Sequence, residues 1–399
     1  MKHLVTCLMI IFIIPSGTAC TTAIFSGKAT KDGRPLLWKN RDTSSINNQV
    51  LVFNDGRFRY FGIVNGGDLS GLNIWSGVNE VGFAIMNSAS YNIELKDLPK
   101  DGEGRFMKLA LQTCQTIEDF ENLLTKSRFF RDVNANFGVT DAHGGAAFFE
   151  ANGESYQKFD ANDPKIAPHG YLVRTNFSDM GPKEGGYGFI RRERAETLIS
   201  KRVSSTKMDV ESLIIEITKD LTNPRTGISP ETQMGETGHY LDASDTINRY
   251  STVSCTVIHG VAEGQNINNT VFWVLLGQPI CGLATPLFLS TFQVPELLTG
   301  TETAPMCDLS LKLRGLIFPF RKGHGSLSHY LDVNVLTGHG EMPNISLHVN
   351  LKQKDIFKKT NEFLKDQKEP TEYSRFQNDC IKEAYDALHQ IATLVPKPI

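Results

Sequence analysis

The sequence predicts a layered α+β fold. Strand patterns come in groups, over 20–42, 50–87 and 136–159, and helical patterns come in groups, over 104–126, 189–221 and 354–394. That grouping fits layers of sheet and helix better than the strict strand–helix alternation of a wound parallel sheet. The composition, 40% hydrophobic and 21% charged in 399 residues, is that of a globular chain large enough to bury a sizeable core. No internal repeat, low-complexity tract or linker divides it, so a single domain is expected over 20–399, with a helical C-terminal segment from about 350.

The first 19 residues read as an export signal. Lys2 and His3 give a short basic start, 4–14 is an apolar run, and 15–19 is small and polar with Gly17 and Ala19 at the −3 and −1 positions. The run is far shorter than the roughly 20 residues a membrane span needs, and no other stretch is long and apolar enough. A periplasmic or secreted product is expected, with Cys20 as its first residue. Two readings of Cys20 are open at this point. In one it is lipidated and anchors a binding protein, although such sites carry an aliphatic residue where Gly17 stands. In the other it is an N-terminal nucleophile. A free α-amine has a pKa of about 7.7–8.0 and a thiol one of about 8.5, so the amine can act as general base toward its own residue's sulfur.

Cys20 leads directly into a hairpin rather than a flexible tether. Cys-Thr-Thr-Ala-Ile-Phe is β-branched and apolar, Asp32-Gly33 is a turn signal, and 36–42 reads as the returning strand, which brings Asp42 back beside Cys20. Further strands are predicted at 50–53, 57–64, 73–78, 82–87, 136–140, 146–150, 154–159, 252–259 and 270–276, and residues 171–173 carry a buried-strand pattern. Helices are predicted over 104–126 with a break at 114–116, over 189–202 and 208–221, and in amphipathic form over 354–366 and 372–394; residues 300–345 carry weaker signals.

The stretch CTTAIFSGKATKDGRPLLWKNRD, followed in order by GVNEVGFAIMNSAS, VRTNFS, INRYSTVSCTVIHGV and TVFWVLLGQPICGLATPLF, resembles the choloylglycine hydrolase and acyl-CoA:isopenicillin-N acyltransferase group of the N-terminal nucleophile hydrolases. The resemblance covers about residues 20–290. It implies a four-layer αββα sandwich and hydrolysis of a linear amide through a thioester acyl-enzyme. By position, Cys20 resembles the nucleophile, Asp42 the carboxylate that holds the α-amine, and Asn87 the oxyanion-hole asparagine. Asn176 resembles the second asparagine near the amine, and Arg249 the arginine packed beside the thiol. Lys39 falls where bile-salt hydrolases carry an arginine; it keeps the charge and loses the planar fork of donors. Phe58, Tyr60 and Phe61, with Phe53, would give the substrate pocket an aromatic rim and favour an apolar acyl group.

Read singly, these residues have plainer roles. Asn87 could cap a strand end, Asn176 heads a glycosylation sequon, Arg249 could form a surface ion pair, and Asp42 could simply close a strand. Chemistry accounts better for their occurring together. An amide carbonyl attacked by sulfur develops an oxyanion that needs neutral donors, and a cation near a thiol lowers its pKa.

Other partner classes lack support. With Lys2 removed the formal balance is 40 basic against 44 acidic residues, mildly acidic and without the basic stripe that nucleic acid requires. The cysteines form no C-x-x-C pair, and the Gly-His-Gly stretches at 323–325 and 338–340 lack ligand spacing, so neither metal nor cofactor is expected. The glycine-rich stretch 62–68 lacks the lysine of a phosphate loop. Arg191, Arg192 and Arg194 are expected on a solvated helical face. The sequence therefore predicts an exported cysteine amidase acting on a small-molecule amide, with water as the expected acyl acceptor; a homo-oligomer is compatible with it. The alternatives are an acyltransferase, a bile-salt or penicillin acylase of the same family, or the anchored binding protein.

Overall fold

The computed structural model describes residues 19–93, 102–233, 240–320, 325–340, 343–366 and 368–394. Residues 1–18, where an export signal is expected, and the histidine at 324 lie outside them. The chain opens with the hairpin of β1 (Ala19–Phe25) and β2 (Leu36–Asp42). Its turn uses Gly33 at φ 75° and an Arg34 backbone N–H donated to Asp32 Oδ1 over 3.2 Å.

A seven-stranded antiparallel meander comes next in chain order: β3 (Asn48–Phe53), β4 (Tyr60–Asn65), β5 (Ser76–Asn79), β6 (Ala84–Ala89), β7 (Ala135–Thr140), β8 (Ala146–Ala151) and β9 (Tyr156–Asp160). β10 (Tyr171–Arg174) then returns to pair with β1. The short β11 (Tyr240–Asp242) and β15 (Tyr330–Asp332) pair with each other. Between them in sequence, β12 (Thr252–His259), β13 (Val271–Leu276) and β14 (Thr285–Phe288) extend the first hairpin, so the second sheet runs β10-β1-β2-β12-β13-β14.

The two sheets pack face to face, with Ile24, Phe61, Met86 and Phe148 in the shared core. Helices α1 (Glu103–Thr113) and α2 (Ile117–Lys126) cover the outer face of the meander, where the Phe120 ring lies 5.7 Å from Phe137 and 5.3 Å from Phe149. Helix α3 (Phe189–Thr206) and the wide turns of Leu213–Ile217 cover the opposite side. The helices Pro305–Ile317, Ile345–Phe363 and Pro370–Leu394 close over β13 and β14, with Trp273 4.8 Å from Phe357 and Phe288 5.0 Å from Tyr373. The layers are helix, sheet, sheet, helix, the αββα sandwich implied by the resemblance.

Register decides which side chains meet. Cys20 is paired with Arg41, Thr22 with Lys39, Arg41 with Ser254, and Lys39 with Thr256. Residues directly opposite each other share a face, so Cys20, Lys39 and Arg41 point between the sheets. Thr21, Asn40 and Asp42 point toward the α3 layer.

The predicted strands 57–64, 73–78, 82–87 and 154–159 begin two or three positions early, because their runs of strand-favouring residues begin in the turns, whereas those at 136–140, 146–150, 171–173, 252–259 and 270–276 start within one residue of the observed strands. The predicted helix 208–221 is instead one short turn, Val210–Ser212, and a π-helical segment. Its widened turn delivers Thr218 to β2: the hydroxyl accepts Trp38 Nε1–H over 2.8 Å and the carbonyl accepts Asn40 Nδ2–H over 2.9 Å. The weak region 300–345 contains the helix Pro305–Ile317, begun by a proline at its first turn. Gly66, in the glycine-rich stretch, lies against the Glu302 carbonyl, where a Cβ would come within 2.2 Å of the oxygen. Close packing explains that glycine.

Candidate active site

Cys20 is buried, 5% exposed, one residue into β1. Its backbone N–H donates to Asn176 Oδ1 over 3.0 Å. Asn176 is fully buried and lies just beyond β10, and its own Nδ2 donates to the Ala89 carbonyl over 2.9 Å. The segment carrying it is pinned from both sides. Asn136 Nδ2, on β7, donates to the carbonyls of Thr175 and Phe177, and the Asn92 side chain brackets Ser178. Asn136→Ala removes two of these bonds and leaves buried carbonyls unmet, a cost of about 1–3 kcal/mol. The expected result is a lowered Tm together with lowered activity, read by calorimetry and steady-state rates.

A second buried group converges on the same place. Arg191 Nη1 donates to the Cys20 carbonyl over 2.7 Å and to Thr21 Oγ1 over 2.8 Å, while Nη2 donates to Asn176 Oδ1 over 2.8 Å. Nη1 also stands 3.9 Å from Asp42 Oδ2. Arg191 is therefore no solvated surface residue. It shares a buried stripe on α3 with Ala195 and Ile199, at i+4 and i+8, and that spacing is the sequence signal that would have found it. Its two neighbours are partnered as well: Arg192 with Asp179 and Glu196, Arg194 with Asp220.

Asp42 is fully buried. It accepts the Thr252 hydroxyl over 2.7 Å and faces Arg249 Nη1 at 3.5 Å in addition to Arg191. Burial pushes its carboxyl up, while Arg249, Arg191, Thr252 and Lys39 pull it down. Arg249 thus stands on Asp42, and the partner of the Cys20 nitrogen is Asn176.

On the other face of the sheet, Lys39 is buried and donates from Nζ to Asn87 Oδ1 and to the Trp75 carbonyl, each over 2.7 Å. Burial pushes it down to about 8 against the upward pull of the neighbouring Cys20 thiol, with Arg41 adding to the downward side. By holding the acceptor end of the Asn87 amide, Lys39 presents the other end, Nδ2, as a donor. Arg41, opposite Cys20, lies 4.6 Å over the Trp75 ring and donates to Asn48 and Asn65. Lys39→Met frees the Asn87 amide to turn; if Asn87 serves as the oxyanion donor that its position in the resemblance implies, kcat is expected to fall by about 10–100-fold, less than the roughly 10²–10³ for deleting such a donor outright, and stopped-flow acylation rates check it.

The structure brings Cys20, Lys39, Asp42, Asn87, Asn176 and Arg249 together around one end of the β1–β2 hairpin, Lys39 and Asn87 between the sheets and Asp42 and Arg249 on the α3 face, and leaves the aromatic run elsewhere. Tyr60 is fully buried on the α1–α2 side, stacked on Phe53 and donating its hydroxyl to Asp55. Phe61, one residue on, points the other way and stacks on Phe292. Phe58 is buried under the Arg57 guanidinium. Alternation along β4 separates these rings, so they form no common rim. The aromatic residues that do stand near Asn176 are Tyr187, whose backbone bridges to it, Tyr91 against Tyr187, and the pair Phe177 and Phe189. Tyr187 and Phe189 are 50% and 41% exposed.

All six cysteines in the described residues are free and buried. Among those residues no group of three His, Cys, Asp or Glu side chains could hold a metal ion, and no helix is long and apolar enough to cross a membrane.

No protein-family model matches the chain, and no curated protein matches it. Its likeness to solved structures is remote. The Caenorhabditis elegans ortholog of N-acylethanolamine-hydrolyzing acid amidase is 14% identical, with 60% of this chain and 92% of that one covered and a TM-score of 0.41. A variant of the conjugated bile acid hydrolase of Clostridium perfringens is 12% identical, covering 64% and 89%, with a TM-score of 0.38. The penicillin V acylase of Agrobacterium tumefaciens is 12% identical, covering 67% and 86%, with a TM-score of 0.39. Likeness this remote assigns no activity.

Proposed function

We propose that the chain is the precursor of an exported amidase that hydrolyses a linear amide of a small molecule through a thioester on Cys20. The observation that carries this reading is the Cys20 nitrogen held on Asn176 Oδ1, in a buried cluster that also contains Lys39–Asn87 and Asp42. Cleavage after Ala19 turns that nitrogen into an α-amine without moving it. The amine takes the thiol proton as sulfur bonds to the carbonyl carbon, and Asn87 Nδ2 meets the developing oxyanion. The ammonium returns the proton to the leaving nitrogen as the C–N bond breaks. A water molecule then gives its proton to the amine and attacks the thioester, releasing the acid and the thiol. Tyr187 and Phe189 beside Asn176 are suited to an apolar acyl group.

A lipid anchor fits poorly at this cysteine. Cys20 sits in a paired strand and is 5% exposed, with no tether between it and the core. Purified mature protein screened against N-acyl amino acids, bile salts and penicillins is expected to release one acid, and Cys20→Ala is expected to release none. Turnover unaffected by Cys20→Ala would exclude the mechanism.

A further inference from the structure

We propose that Arg191 is a positioning residue for this reaction, holding the Cys20 α-amine in its neutral, proton-accepting form and aiming it at its own thiol. The inference rests on the reading of Cys20 as an N-terminal nucleophile. Arg191 fixes the residue at two points, through the Cys20 carbonyl and through Asn176 Oδ1, the atom that also accepts from the Cys20 nitrogen. Because a guanidinium has only donors, its bond to that atom defines which end of the Asn176 amide faces Cys20. The end presented is an acceptor. It takes one N–H of the amine and leaves the nitrogen lone pair free for the thiol proton.

Charge acts in the same direction. A free amine at this position is bonded to an oxygen already shared with a cation, so adding a proton to it places a second positive charge beside the first. A like charge at this range disfavours the protonated form. The surrounding charged groups come from every neighbouring element. β2 contributes Lys39, Arg41 and Asp42, the start of α1 contributes Glu103 through its pull on Lys39, the turn before β12 contributes Asp245 and Arg249, and α3 contributes Arg191; β6 and the segment after β10 contribute the neutral Asn87 and Asn176. Asp42 is the buried carboxylate that would favour an ammonium, and Arg249 and Arg191 both oppose its charge. Burial and Arg249 hold Arg191 down to about 10, well above neutral pH, so it remains a cation throughout the working range. Lysine cannot reproduce the fork that spans Cys20, Thr21 and Asn176, but it restores the charge.

The test compares pH profiles of kcat/KM for the mature wild type, Arg191→Lys and Arg191→Gln on the amide that the screen identifies. In Arg191→Gln the acid limb is expected to move up by about one pH unit or more, since Asp42 then favours the ammonium with less opposition. In Arg191→Lys the limb is expected to stay near that of the wild type while kcat falls, because charge is kept and aim is lost. Identical limbs in all three proteins, with only the plateau lowered, would reduce Arg191 to a structural role. Because Arg191→Gln is a buried change that can cost the fold, a pH titration of wild-type protein labelled with ¹⁵N at cysteine supplies a second measurement. A Cys20 amine pKa below the ordinary range of about 7.7–8.0 supports the proposal, and one at or above it overturns it. Turnover that survives Cys20→Ala would instead overturn the underlying reading of the nucleophile, so the two failures are distinguishable.

Discussion

Placing a methionine or a tag directly before Cys20 is expected to abolish turnover while leaving the folded structure and its thermal transition intact. The structure itself explains why the fold tolerates this. Ala19 continues β1 and pairs with Asp42, so the strand forms with residues ahead of Cys20 and the Cys20 nitrogen still donates to Asn176. What the extension removes is the lone pair, since an amide nitrogen is not a base at any working pH. The loss therefore falls on kcat, with substrate binding kept. Cys20→Ala is expected to show the same pattern for the complementary reason. Circular dichroism melts and isothermal titration with substrate separate the two effects. An extended, uncleaved protein with normal turnover would place the base elsewhere.

The second large effect is expected for Asp42→Asn. Asp42 is the carboxylate set between the guanidinium groups of Arg191 and Arg249, and Thr252 donates to its other oxygen. An asparagine of the same shape leaves two cations facing each other with no charge between them. Breaking a buried ion pair from one side costs about 3–5 kcal/mol. Part of that loss appears in the urea midpoint and part as displacement of Arg191, which carries the Cys20 carbonyl and Asn176. Acylation is expected to slow by about 10²–10³, the scale for losing one preorganised electrostatic partner. Arg249→Ala is expected to cost less, since it is partly exposed and leaves Arg191 in place. A variant Asp42→Asn with unaltered kcat/KM would show that the ion cluster only supports the fold.

Much of this was legible in the sequence, for local reasons. The β1–β2 hairpin is a short-range feature with a turn signal, and the alternation of the meander is visible strand by strand. Cys20, Asp42 and Lys39 all lie on that hairpin, and the Asn87 and Asn176 motifs come after it in order. Long-range pairing was harder to see. Arg191 is 171 positions from the residue it holds, and its triplet of arginines reads as surface charge unless the buried i, i+4, i+8 stripe is noticed. Asn136 acts through backbone carbonyls 39 and 41 positions away, which leave no mark in composition. The aromatic run at 53–61 misled because hydrophobicity alone does not say which face a ring takes. Alternation along β4 sends Tyr60 under the helices and Phe61 between the sheets.

The mechanism requires that the mature chain begin at Cys20 and carry the acyl group on that sulfur. Acid quenching during turnover of a slow substrate, with intact mass and peptide mapping of the exported protein, tests this most directly. The expected product is an N-terminal peptide that starts at Cys20, heavier by the acyl group alone, and restored to its free mass by hydroxylamine, as a thioester would be. A chain that starts elsewhere, a diacylglyceryl adduct on Cys20, or an acyl group mapped to any other residue would contradict it.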